Sequence, residues 1–181
     1  MKKILITGGY GILGSCLANK LNDMGHDVFI LDRSKKKRTT LNRFINKTIK
    51  KQKGNFNEIR SLIKIIKKKK FDVIFHLGAI TQVIDAYKSP YDTFMTNVMG
   101  TINILESIRL LNTDTKIIFS SSDKAYGTMQ KDNYTENDRL HGDFPYDVSK
   151  SSSDLIAQSY SKTYGLPVAI IRSGNIYGPA D

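Results

Sequence analysis

Cysteine is nearly absent: Cys16 stands alone in 181 residues. This excludes an internal disulfide and leads to the expectation of a reducing, cytoplasmic setting. Long apolar runs are missing too. None approaches the ~20 residues that a membrane-spanning helix needs, so no membrane partner is expected. The opening MKKILI starts like a secretory signal, but TGGYG interrupts it and no small-residue cleavage site follows, so no export signal is expected. There is no linker rich in proline, glycine or serine and no internal repeat, and the length suits one ordinary domain. Acidic residues are outnumbered, 17 against 28 lysines and arginines, for a formal net charge of +11. The excess lies in stretches 35–38, 47–53 and 67–70, without interleaved aromatic residues on which nucleic-acid bases could stack. A solvated basic surface is expected, not a nucleic-acid partner.

What is present is an alternation of two patterns. KKILIT, HDVFILD, FDVIFHLGA, KIIFSS and LPVAIIRSG read as short buried strands. Between them, GILGSCLANKLNDMG, NEIRSLIKIIKKKK, TNVMGTINILESIRLLN and YDVSKSSSDLIAQSYSKTYG read as helices. In the second helix Ile59, Leu62, Ile63 and Ile66 fall at i, i+3, i+4 and i+7, with Asn57 as N-cap. In the first, Ile12, Leu13, Leu17 and Leu21 lie near helical spacing, and all these stripes are assigned to the core. Between Arg33 and Lys53 only TIKKQK offers a strand. Strands separated by helices predict an α/β fold with a doubly wound parallel sheet and helices on both faces.

Three features carry chemistry. TGGYGILG sets Gly8, Gly11 and Gly14 three apart between a strand and a helix, where glycines permit a tight turn and close approach of a pyrophosphate to the helix N-terminus. Asp32 ends the second strand about 20 residues further on, where an acid can bind both ribose hydroxyls of an adenosine and repel a 2′-phosphate. That favours NAD over NADP, although Arg33 and the lysines after it dilute the preference. YDVSK places Tyr146 and Lys150 on one face of a helix. A phenol near pKa 10 is a poor base at neutral pH; a lysine ammonium beneath it and a positive nicotinamide ring would lower that value.

Taken in order, TGGYGILG, Asp32, HLGA, TNVMGT, SSSDKAYG, YDVSK and RSGNIYGP resemble the extended short-chain dehydrogenase/reductase family, in its nucleotide-sugar epimerase/dehydratase branch. SSDKAYG and PYDVSK are most similar to the CDP-glucose 4,6-dehydratase group. The resemblance implies a Rossmann domain over residues 1–181, with NAD as cofactor, no metal and a nucleotide-sugar substrate. It also implies a homodimer paired through two of the helices, and it places most of the substrate domain beyond this chain. Gly8, Gly11, Ile12, Leu13 and Gly14 would wrap the pyrophosphate, and Asp32 would hold the ribose. Asn55 and Phe56 would lie beside the adenine, with Asn55 standing where the family has an acid. Leu77, Gly78, Ala79 and Thr81 would line the cofactor, and Asn97 would anchor the loop beneath it. Ser122, Tyr146 and Lys150 match the catalytic trio, and Asn175 matches a position near the substrate phosphates.

For a 4,6-dehydratase the resemblance implies oxidation at sugar C4 assisted by Tyr146, loss of water across C5 and C6, and return of hydride to C6. Asp123 would be the acid for the departing hydroxyl. Lys124, where many relatives have an acid, would be the C5 base, provided burial lowers its pKa, or would stabilise the enolate. Tyr126 is assigned to packing or positioning. Two alternatives stay open: a 4-epimerase or reductase of the same fold, and a non-catalytic dinucleotide-binding or nucleic-acid-binding protein.

Overall fold

The computed structural model describes residues 1–33, 45–128 and 132–178. The basic stretch 35–38 and the last residue of RSGNIYGP, Pro179, lie outside the described residues. Six parallel strands form one sheet: β1 (Lys3–Thr7), β2 (Asp27–Asp32), β3 (Lys50–Lys53), β4 (Val73–His76), β5 (Lys116–Ser122) and β6 (Val168–Ser173). Their order is β3-β2-β1-β4-β5-β6. The chain therefore reverses its winding between β1 and β4, and ligands of open α/β sheets bind at the carboxyl ends of such a pair.

Side-chain alternation along the strands divides the core in two. On one face Leu5, Phe29, Leu31, Ile74, Ile117 and Phe119 meet helices α2 (Ile59–Lys69), α5 (Gly100–Leu111) and α6 (Pro145–Tyr164). On the other, Ile4, Ile6, Val28 and Ile30 meet Ala18 of α1 (Ile12–Asp23). The α2 stripe is as expected at Leu62 and Ile66, which are fully buried; Ile59 and Ile63 are only partly buried, and Ile65 packs against the core in their place. The α1 stripe is corrected at Leu13, which is exposed, because α1 buries its small residues Gly14, Ser15 and Ala18 against the strands instead. The N-cap of α2 is Glu58, not Asn57, and no side chain closes that end.

TIKKQK does contain the strand β3, whose lysines stand at the sheet edge, where charge discourages pairing with another chain. Lys67, Lys68 and Lys69 occupy the last turn of α2, at the negative end of its dipole. The helix expected from Thr96 begins earlier. After α3 (Val83–Lys88), α4 (Pro90–Phe94) runs through a π-helical turn, Met95–Met99, into α5. Such turns insert a residue into the helical ladder and gather at functional sites; this one carries Asn97.

Candidate active site

The turn after β1 requires glycine at its first position. Gly8 has φ +68°, and a Cβ there would lie 2.7 Å from the Gly78 nitrogen at the end of β4. Gly11 donates to the Gly8 carbonyl at 3.0 Å and caps α1 without a side chain, so the first-turn N–H groups receive no side-chain partner from it. Gly14 is buried against the same turn, where a Cβ would run into Gly8 and Gly9. A groove of about 690 Å³ opens over this turn. Its walls bring together Gly8, Gly11, Asp32, Asn55, Phe56, Leu77, Gly78, Ala79 and Thr81, with Tyr10 and Arg33 beside them.

Ile12, Leu13, Gly14 and Asn97 do not line the groove. Gly14 serves by letting α1 approach. Asn97 lies underneath, 3% exposed, where its oxygen accepts from Ile80 N at 2.8 Å and its amide nitrogen donates to Ile80 O at 3.0 Å. The same nitrogen donates to Ser149 Oγ at 2.9 Å, and Ser149 donates to Tyr146 O at 2.7 Å. Asn97 thus ties the groove wall to the first turn of α6. Asn55 turns its amide oxygen toward Asn57 N, 3.1 Å away.

Beside the groove, β5 ends at Ser122 and passes into a 3-10 turn, Asp123–Tyr126. Ser122 Oγ donates to Asp123 Oδ1 at 3.0 Å and accepts from Lys124 N at 3.2 Å, which caps the turn. Pro145 opens α6, where its missing N–H costs nothing. Tyr146, the next residue, and Lys150, one turn later, are both buried, with the Tyr146 phenol in hydrogen-bond reach of Ser122. The structure therefore brings Ser122, Asp123, Tyr146 and Lys150 to one end of β5.

The electrostatics differ from the expectation in two ways. Burial raises the Tyr146 pKa, the Ser122 bond opposes that, and the carboxylates Asp123 and Asp147 add to the rise. Lys150 is not among the groups that lower it; its Nζ donates to Ser120 O at 2.9 Å. Burial also lowers Lys150 itself to about 8, against the pull of Asp154. Lys124 is the second difference. It is exposed, so the described residues do not supply the burial its role as a base requires. Asn175 is exposed beyond β6.

Two residues escaped sequence reasoning. Asp154 is fully buried one turn beyond Lys150, and Arg172 of β6 grips it at 2.8 and 3.0 Å. The same guanidinium donates to Tyr126 Oη at 2.9 Å and Glu136 O at 3.1 Å. Tyr126 is thereby held in place and is stacked on Tyr134, ring centroids 4.6 Å apart. The helical spacing of Lys150 and Asp154 was a signal; the partner on β6 had none.

A family model described as GDP-mannose 4,6 dehydratase matches residues 5–181. The chain belongs to this family. It is a member of the extended short-chain dehydrogenase/reductases, in the nucleotide-sugar epimerase/dehydratase branch. A CDP-paratose 2-epimerase of Salmonella typhi is 32% identical over 97% of this chain and 58% of its own length. A dTDP-D-glucose 4,6-dehydratase of Dictyostelium discoideum is 32% identical over 99% and 45%. The UDP-glucose 4-epimerase of Thermotoga maritima, solved with UDP-glucose, superposes with a TM-score of 0.87 at 28% identity, covering 98% of this chain and 57% of that one. The chain spans about half the length of the curated relatives it matches. The family is NAD-dependent, and structural neighbours include UDP-glucose 4-epimerases solved with NAD.

The groove fits that cofactor. Its floor is backbone without Cβ atoms, its end is a helix N-terminus with no side-chain cap, and the Tyr10 hydroxyl on its wall is buried without a partner among the described residues. Also among the described residues, no helix is long and apolar enough to cross a membrane.

Proposed function

We propose that this chain is the NAD-binding and catalytic part of a nucleotide-sugar 4,6-dehydratase, of the kind that acts on CDP-glucose. The observation that carries the reading is Asp123, bonded to Ser122 and close enough to Tyr146 to raise its pKa. An epimerase or simple reductase needs a hydroxyl and a phenol at this point; a dehydratase needs an additional acid. Gly8 and Gly11 would hold the pyrophosphate, with Gly14 permitting the close packing of α1, Asp32 the adenosine ribose, and Asn55 and Phe56 the adenine. When bound, NAD supplies the electron acceptor and a positive charge beside the phenol. Ser122 orients the sugar 4-hydroxyl, and Tyr146 takes its proton. Lys150, released from the Ser120 carbonyl toward the cofactor ribose and the phenol, would hold Tyr146 ionised. Asp123, once protonated, would deliver the proton with which the 6-hydroxyl leaves as water. Lys124 faces solvent, and its part as base depends on substrate covering it.

Relatives extend beyond the span they share with this chain, and we assign most of the sugar-nucleotide pocket to that further length, with Asn175 at its near edge. A homodimer through α5 and α6, which expose Leu110 and Leu155, belongs to the same reading. The test has two parts. Mass analysis of the denatured, purified chain should release NAD, and a form completed with the further length its relatives carry should turn CDP-, dTDP- or UDP-glucose into a product lighter by one water. Inversion at C4 without water loss would instead establish the 4-epimerase reading, which the epimerases among the relatives favour.

A further inference from the structure

His76, the last residue of β4, is 2% exposed and belongs to none of the roles above. Its ring packs edge-on against Phe56 at 5.3 Å and is stacked on Phe119 at 5.9 Å. The direction of its hydrogen bonds follows from its partners. The Thr101 hydroxyl lies 2.6 Å from the Asn97 carbonyl, which can only accept, so Thr101 donates there. Thr101 Oγ1 then accepts from His76 Nε2, 3.3 Å away, and the ring hydrogen sits on Nε2. Nδ1 is left as an acceptor, and Thr7 Oγ1 donates to it at 2.8 Å. The Thr7 oxygen in turn accepts the Gly78 N–H at 3.0 Å.

Every hydrogen in this buried chain points one way, from Gly78 through Thr7, His76 and Thr101 to the Asn97 carbonyl. A protonated ring would break it: Nδ1–H would compete with Gly78 for Thr7, and the Thr7 hydrogen would lose its acceptor. The surroundings oppose that charge as well. Burial and the Lys150 ammonium hold the imidazole down to about 3.

We propose that His76 is a positioning residue for the cofactor groove, its neutral Nε2–H form setting two walls in register at once. Through Thr7 it fixes the Gly78 N–H, at the point where the β4 turn meets the Gly8 turn. Through Thr101 it fixes Asn97, which holds Ile80 and, by way of Ser149, the first turn of the Tyr146 helix. The functional consequence rests on the groove being the NAD site; the hydrogen-bond direction does not.

The experiment combines two measurements on the full chain. In ¹⁵N-histidine NMR, His76 should show a neutral Nε2–H ring that does not change between about pH 8 and 5, across the range where an ordinary histidine titrates. A His76 ring that titrates there, or carries its hydrogen on Nδ1, would overturn the proposal. Calorimetric NAD binding should weaken roughly tenfold in His76→Phe, the size of one misplaced hydrogen bond. His76→Gln, whose amide can still donate toward Thr101, should recover most of the loss. Both variants binding within about twofold of wild type would mean that the ring only fills space. A wild-type chain that binds no NAD refutes the groove reading, and the positioning role with it; normal wild-type binding with unaffected variants refutes the positioning role alone.

Discussion

Replacing Arg172 by methionine isolates what the α6–β6 clamp contributes. Methionine keeps much of the side-chain stem but removes four donated bonds: two to Asp154, one to Tyr126 and one to Glu136. The Asp154 side chain is 0% exposed and that of Arg172 only 14%, so water cannot replace the lost partner. Breaking a buried pair from one side costs about 3–5 kcal/mol, because a desolvated charge is left behind. For a chain of this size that corresponds to a fall in Tm of about 6–20 °C.

The pH dependence follows from Asp154. In the wild type burial pushes its pKa up, but the bonds from Arg172 and its neighbours outweigh burial and hold it below the usual carboxylate value. Its contribution to stability is therefore present above the unfolded pKa and is lost as pH falls through the folded one. In the variant burial dominates, the folded pKa lies above the unfolded one, and the penalty is largest at neutral pH. The gap between wild type and variant should narrow as pH is lowered from about 7 toward 4. Differential scanning calorimetry at several pH values reads both effects. A Tm change under about 2 °C, or a gap that does not vary with pH, would refute the reasoning. The double variant Asp154→Leu with Arg172→Met removes both charges and should recover more than half of the loss.

Two further outcomes are expected. Gly8 and Gly25 both have positive φ, +68° and +79°, but only Gly8 has backbone within 3 Å of an added Cβ. Gly25→Ala should cost about 1–2 kcal/mol in urea denaturation, whereas Gly8→Ala should also abolish NAD binding; equal effects would contradict the close-approach argument. Lys150 has a folded pKa of about 8 against 10.5 for the free side chain, lowered by burial. The unfolded chain holds that proton more tightly, so stability should rise with pH between those values. Compared with Lys150→Met, the wild type should gain stability over that window, and a difference that stays flat would show that the ammonium is not desolvated.

The strand and helix alternation was legible because it is written at short range. A period of two or 3.6 along the chain marks which side of an element is buried, whatever packs there. The same holds for the glycine turn, for Asp32 at a strand end and for Tyr146 with Lys150, all set by neighbours within a turn or at the tip of one strand. Leu13 shows the limit: its spacing was right, but α1 lies so close to the strands that glycine, serine and alanine take the buried side.

Bonds between distant segments were not legible. Lys150 reaching Ser120, Arg172 gripping Asp154, and Thr7 meeting His76 join residues 18 to 69 positions apart. No periodicity encodes such pairs; they exist because the sheet order places β4 beside β1 and β6 beside β5. The protonation states follow the same division. The sequence by itself determined which chemical groups are available and which elements carry them. Only the tertiary structure decided that the phenol is held protonated, the lysine weakened and the histidine neutral, because those depend on how much water and how many charges the folded neighbours leave around each group.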